Sequence, residues 1–277
     1  MSSRPGLFTR GLSGLSQSTD DNVSSSSTDR DDLKRNFLKT MRPLPTQHYW
    51  NVWFDRPDKD QQQSKSASDG SYHSNLEQLG TTIESVQDFW RYNNNMPIES
   101  IKMRESIYLF KVGFKPIWED RRNILGGSWT FRVPKANGPD LWTRVQVLAI
   151  GEQLQDVLEE GDQLCGVGLS VRFTSHLISI WHRDASKQKS VDAILQLVLT
   201  SLPGDFPTLK PDSYFYKKHS DHAGFNPSPE MQAVLDSQKA REQQAAAAKA
   251  QAEAAQQGSQ GQPEPPQIVE VPPSGER

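Results

Sequence analysis

A chain of 277 residues with only 34% hydrophobic residues and a mean hydropathy of -0.70 cannot pack its whole length around a core, so the folded part is shorter than the chain. The formal net charge of -3 excludes a broad phosphate-tracking surface, which needs an excess of lysine and arginine, and confines any nucleic-acid contact to a local site. Seven tryptophans in so polar a chain point the other way, because large aromatics supply both core burial and stacking platforms.

The N-terminus, MSSRPGLFTR, lacks the apolar core of a secretion signal, and no run of about 18 apolar residues follows, so a soluble cytoplasmic protein without a membrane partner is expected. Residues 1–43, with DNVSSSSTDRDD, read as a disordered Ser-rich arm. WNVWF at 50–54 alternates as a strand does, and the polar stretch after it reads as an exposed loop. Ser85, three residues before Asp88, starts a helix with Val86 and Trp90 four apart. IYLFKVG and SWTFRVP read as strands flanking a loop with Trp118, Glu119, Asp120, Gly126 and Gly127. A second helix over 140–150 has Asp140 as N-cap and Leu141, Val145 and Leu148 on its core side. GVGLSVRF and HLISIWH are apolar strands, and Cys165 just before the first reads as a buried structural thiol. Val191, Ile194, Leu195, Val198, Leu199 and Leu202 follow the i, i+3, i+4, i+7 spacing of a third helix. Residues 226–277, rich in Ala, Gln and Pro, have helix propensity without an apolar stripe and read as a disordered tail. An α+β domain over 44–225 is the expected architecture.

HYWNVWF, ESVQDFWRYNN, FKVGFKPIWED, GGSW, LAIGEQL, CGVGLSVRF and ISIWH occur in this order over residues 44–225. In these seven motifs the chain resembles the eukaryotic translation initiation factor 4E cap-binding family. SYHSNLEQLGT, IGEQL and LSVRF followed by ISIW resemble its 4E-homologous-protein branch, class II, whose members are mainly translational repressors. The resemblance implies a strongly curved antiparallel sheet of about eight strands, three helices on its convex face, and the 7-methylguanosine cap of messenger RNA on the concave side.

N7-methylation makes guanine cationic, so two aromatic plates that sandwich it select the methylated base. The resemblance implies Trp118 as one plate and Tyr72 as the other, Glu119 as acceptor for the guanine N1–H and N2–H₂ edge, Arg172 on the triphosphate and Trp181 beside the methyl group. Ser128 and Leu177 stand where the family usually has basic residues, so two phosphate contacts are missing. Lys217, Lys218 and His219 are candidates to replace that charge. On the convex side Pro45, Val86, Trp90, Thr143, Val147 and Ile150 are the implied seat of a partner helix carrying tyrosine, four arbitrary residues, leucine and an apolar residue. A class II adaptor is the reading favoured. A general initiation factor recruiting the scaffold subunit, and an interaction module with a decayed pocket, are the alternatives. No nucleophile elbow, phosphate-cradling glycine loop or metal-ligand spacing is found, so neither enzyme activity nor a cofactor or metal is expected, and the adjacent His219, Ser220 and Asp221 do not amount to a triad.

Overall fold

The computed structural model describes residues 31–32, 35–36, 42–56 and 75–259, which fall into two units, Met1–Pro43 and Leu44–Arg277. The Ser-rich arm therefore lies almost wholly outside the described residues, as do the loop carrying Tyr72 and the last part of the tail.

Seven strands form one antiparallel, curved sheet in the second unit: β1 (Pro45–Arg56), β2 (Asn75–Ser85), β3 (Ser106–Lys111), β4 (Gly127–Pro134), β5 (Leu164–Val171), β6 (Ser175–His182) and β7 (Tyr214–Lys218), in the order β2-β1-β3-β5-β6-β4-β7. Helices α1 (Val86–Asn95), α2 (Gly138–Ile150), the short α3 (Gln153–Asp156), α4 (Gln188–Ser201) and α5 (Pro229–Ser259) complete it. This is the α+β layering expected, with seven described strands for the eight implied.

Strand side chains alternate between faces, and here the alternation sorts two cores. Trp50, Val52, Ile107, Leu109, Trp129, Phe131, Val167, Leu169, Ile178 and Ile180 join a large cluster with Phe89 of α1, Leu141 and Val145 of α2, and Val191, Ile194 and Val198 of α4. Their strand neighbours Phe110, Cys165 and Trp181 instead form a small aromatic cluster with Phe114, against which Trp53, Tyr108 and Trp118 pack. The sheet thus has a helix-covered face and an aromatic face.

Local chemistry explains the helix starts. Ser85 Oγ accepts the N–H of Asp88 at 3.1 Å and caps α1 as expected. The second helix begins two residues before the expected start: Asn137 is its N-cap without a side-chain bond, and Asp140 pairs with Arg144 in the first turn. Proline in the first turn favours that earlier start. The stretch expected to be a disordered tail is helical over Pro229–Ser259. Ser228 accepts the N–H of Met231, and Leu235 is buried beside Ile124, Leu125 and Ala185. Among the described residues of the helix Leu235 is the one buried apolar side chain, with Met231 and Val234 half-buried beside it in sequence, and Ala and Gln supply the propensity.

Glycines open the aromatic face. A Cβ on Gly166 would meet Phe110 Cδ2 at 2.3 Å and the Leu109 carbonyl at 2.6 Å, and one on Gly168 would meet the Tyr108 ring at 2.5 Å. Gly166→Ala should therefore destabilise the domain by about 1–3 kcal/mol through overpacking, read as a lower denaturation midpoint at unchanged slope. An unshifted midpoint would mean that the rings retreat freely.

Candidate functional site

The β3–β4 loop is built around Asn123, which is fully buried. Its Nδ2 donates to the carbonyls of Lys115 and Ile117 at 2.6 and 2.8 Å. Asp120 accepts the backbone N–H of Arg122 on its side chain and those of Asn123 and Ile124 on its carbonyl. These bonds fix the turn that presents Trp118 and Glu119 on the aromatic side of the sheet. Sequence reading passed over Asn123, although a lone Asn inside a polar loop carries little signal before its burial is known.

Trp118 is half-buried and lies nearly parallel to Trp181, with centroids 6.4 Å apart and planes 13° from each other. Closer still, the His222 imidazole stacks on Trp118 at 4.2 Å and 10°. Glu119 Oε1 accepts the backbone N–H of Asn226 at 3.0 Å. Trp181 is buried, its Nε1 donating to Ser179 Oγ at 3.1 Å, and it touches Phe110 edge-on. Tyr72 lies outside the described residues.

Strand register arranges the remaining candidates. Gly166, Trp181, Ser128 and Lys217 sit side by side across β5, β6, β4 and β7, so Lys217 shares the aromatic face with the position that lacks the usual basic residue. Ser170, Leu177 and Arg132 form a parallel row, which puts an exposed arginine, not singled out from sequence, opposite Leu177. Arg172 is exposed at the β5–β6 turn, with Nη1 donating to the Val171 carbonyl. Lys218 points to the other side of β7, as alternation requires, and lines a small cavity with Leu235 and Lys239 of α5. Its expected phosphate role is therefore corrected.

His219 is corrected as well. It is fully buried, donates Nδ1–H to the Asn123 carbonyl at 2.7 Å and packs on Trp181. Burial pushes its pKa from 6.5 to about 3, only partly opposed by the bond to Asn123, so it brings no positive charge at neutral pH. The unfolded chain takes up a proton near pH 6.5 that the native ring refuses, so this contribution is complete above that pH and is lost as pH falls towards 3. The melting temperature should thus decline below pH 6.5 less steeply in His219→Asn than in the parent; equal slopes would contradict the assignment.

Comparison with known proteins decides the family. The model of eukaryotic initiation factor 4E matches residues 45–234. The chain belongs to the eukaryotic initiation factor 4E family. Eukaryotic translation initiation factor 4E-1 of Cucumis melo is 33% identical over 154 residues, 55% of this chain and 61% of that protein. The chain therefore spans about three fifths of this relative's length. The Candida albicans factor is 33% identical over 163 residues, 56% of this chain and 73% of its own. Among solved structures, Ascaris suum eIF4E-3 in complex with an m2,2,7G cap superposes with a TM-score of 0.52 at 28% identity, over 67% of this chain and 97% of that one. Caenorhabditis elegans eIF4E-3 with the 4E-binding protein Mextli and a cap analog gives 0.52 at 26%, over 65% and 95%.

On the helical face of this factor 4E domain, Trp90 is 40% and Val147 42% exposed, with Val86 half-buried and Pro45 exposed nearby in sequence register with Ser85. Thr143 Oγ1 donates to Asn93 Oδ1, which also receives Gln146 Nε2, tying α2 to α1. Ile150, expected on the outer stripe, is buried in the core with Leu154, because the chain reverses after Gly151 and packs α3 against α2. No group of His, Cys, Asp and Glu suited to a metal occurs among the described residues, and no described helix is long and apolar enough to cross a membrane.

Proposed function

We propose that the chain binds the 7-methylguanosine cap of messenger RNA on its aromatic face, seats a regulator's helix on its helical face, and so controls translation in the cytoplasm as a class II, repressor-type member of its family. The observation that carries the reading is the pair Trp118 and Glu119: the first stacks a flat nitrogenous ring and the second accepts an N–H. A guanine needs both contacts at once. Trp118 and Tyr72 are the plates of this reading, Glu119 reads the base edge, and Trp181 borders the methyl group.

Arg172, Lys217 and Arg132 supply the triphosphate charge in place of the residues missing at 128 and 177. That sparse set favours the class II role over a general initiation factor. Ser128→Arg with Leu177→Lys should tighten binding of 7-methylguanosine triphosphate about tenfold, as charge-assisted bonds to phosphate do, and steepen its salt dependence. No change in either would remove the phosphates from this strip of the sheet. Retention of the full chain on immobilised 7-methylguanosine triphosphate, with elution by free ligand but not by GTP, tests the reading as a whole. Capture by repressor-type but not scaffold peptides would separate the two roles.

A further inference from the structure

The two groups assigned to the base are already engaged, and both partners come from one short segment. His222 covers Trp118, and Asn226 donates to Glu119. Between them Phe225 N–H bonds to the His222 carbonyl and His222 N–H to the His219 carbonyl, so the segment is two successive hydrogen-bonded turns. Gly224, at φ +93 with open space about it, supplies the reversal that brings Asn226 back to Glu119. Both ends are tethered, by buried His219 before it and by Leu235 of α5 after it.

We propose that residues 220–228 are a resident occupant of the nucleotide site, with the His222 ring standing in for the base and the Asn226 N–H for its edge, so that a ligand binds only as this segment leaves. This rests on the cap-binding reading and deepens it. The closed arrangement is easily given up. Trp118 Nε1 and His222 Nε2 are buried with no hydrogen-bond partner among the described residues, and an unmet buried polar atom weakens the state that contains it. The occupant also stacks less well than its competitor. Burial, helped by Lys217, pushes the His222 pKa from 6.5 to about 4, so the ring is neutral at pH 7, whereas N7-methylated guanine is cationic and is drawn to an indole face. A single amide N–H on the carboxylate is likewise replaced by two from guanine.

A closed fraction lowers the apparent affinity of every ligand by the same factor. Weak ligands, plain guanine nucleotides among them, then fall below their working concentrations first. The segment thereby raises the intrinsic affinity that any ligand needs to occupy the site.

The test uses the full chain with His222→Ala, which empties the stack, and His222→Phe, which keeps it. Calorimetric titration with 7-methylguanosine triphosphate and acrylamide quenching of tryptophan fluorescence are read together. His222→Ala should bind about tenfold tighter than the parent and be quenched more strongly, while His222→Phe binds no tighter than the parent. Equal or weaker binding by His222→Ala would overturn the proposal and make His222 part of the working pocket. If no variant binds the methylated ligand, the cap reading fails and quenching alone decides: greater quenching in His222→Ala upholds a covered Trp118, and equal quenching overturns it.

Discussion

Replacing Glu119 by Ala should weaken binding of 7-methylguanosine triphosphate about a hundredfold while leaving the fold unchanged. The carboxylate would accept two hydrogen bonds from guanine, and removing the charged acceptor leaves both donors unpaired in a partly dehydrated site, a loss of about 3 kcal/mol. Among the described residues Glu119 accepts the Asn226 N–H, and its neighbour Asp120, not Glu119, fastens the turn. Calorimetry on the variant, with thermal unfolding as control, separates the two roles. Lost stability with retained affinity would assign Glu119 to the loop. Trp118→Ala should cost a similar factor, since a stacked base is worth about 1–3 kcal/mol and the cationic ring adds to it.

The second large effect is expected on the opposite face. Trp90→Ala should weaken a helical peptide carrying the Tyr-four residues-Leu-apolar pattern by about 2–4 kcal/mol, as buried aromatic anchors do at interfaces. Trp90 is 40% exposed and its ring meets Phe89 at 5.0 Å, so truncation removes surface more than core. Fluorescence anisotropy with a labelled peptide measures the loss, and cap-analogue affinity should not move, because Trp90 stands on α1, which packs with the helix-covered core. A variant that binds peptide normally but unfolds more readily would make Trp90 a core residue. Thr143, its hydroxyl committed to Asn93, stands one turn before Val147 on α2 and would give a partner seated there a polar point to match.

Elements with an apolar period were readable from the sequence. The core stripes of α2 and α4 and strands β3, β4, β5 and β6 all follow it. The two edge strands were not. β2 is NLEQLGTTIES and β7 is YFYKK, each pairs on one side only, and an edge strand needs no continuous apolar face. In the site, Trp118, Glu119 and Trp181 came from motifs. Arg132 came from strand register, which a single strand does not encode. His219 was misjudged because a histidine beside two lysines resembles a charged cluster until its burial is seen. Ile150 fits the outer stripe of α2 by angle, and only the reversal into α3 covers it. His222 carries no local signal at all, since its meaning lies in the ring it covers across 104 residues of chain.

Discrimination between 7-methylguanosine triphosphate and unmethylated GTP by the full chain, followed by tryptophan fluorescence, tests the central claim most directly. Saturable quenching by the methylated ligand, absent with GTP and abolished in Glu119→Ala, is the predicted result. Equal responses to both nucleotides from a folded protein would contradict it and leave the helical face as the working surface.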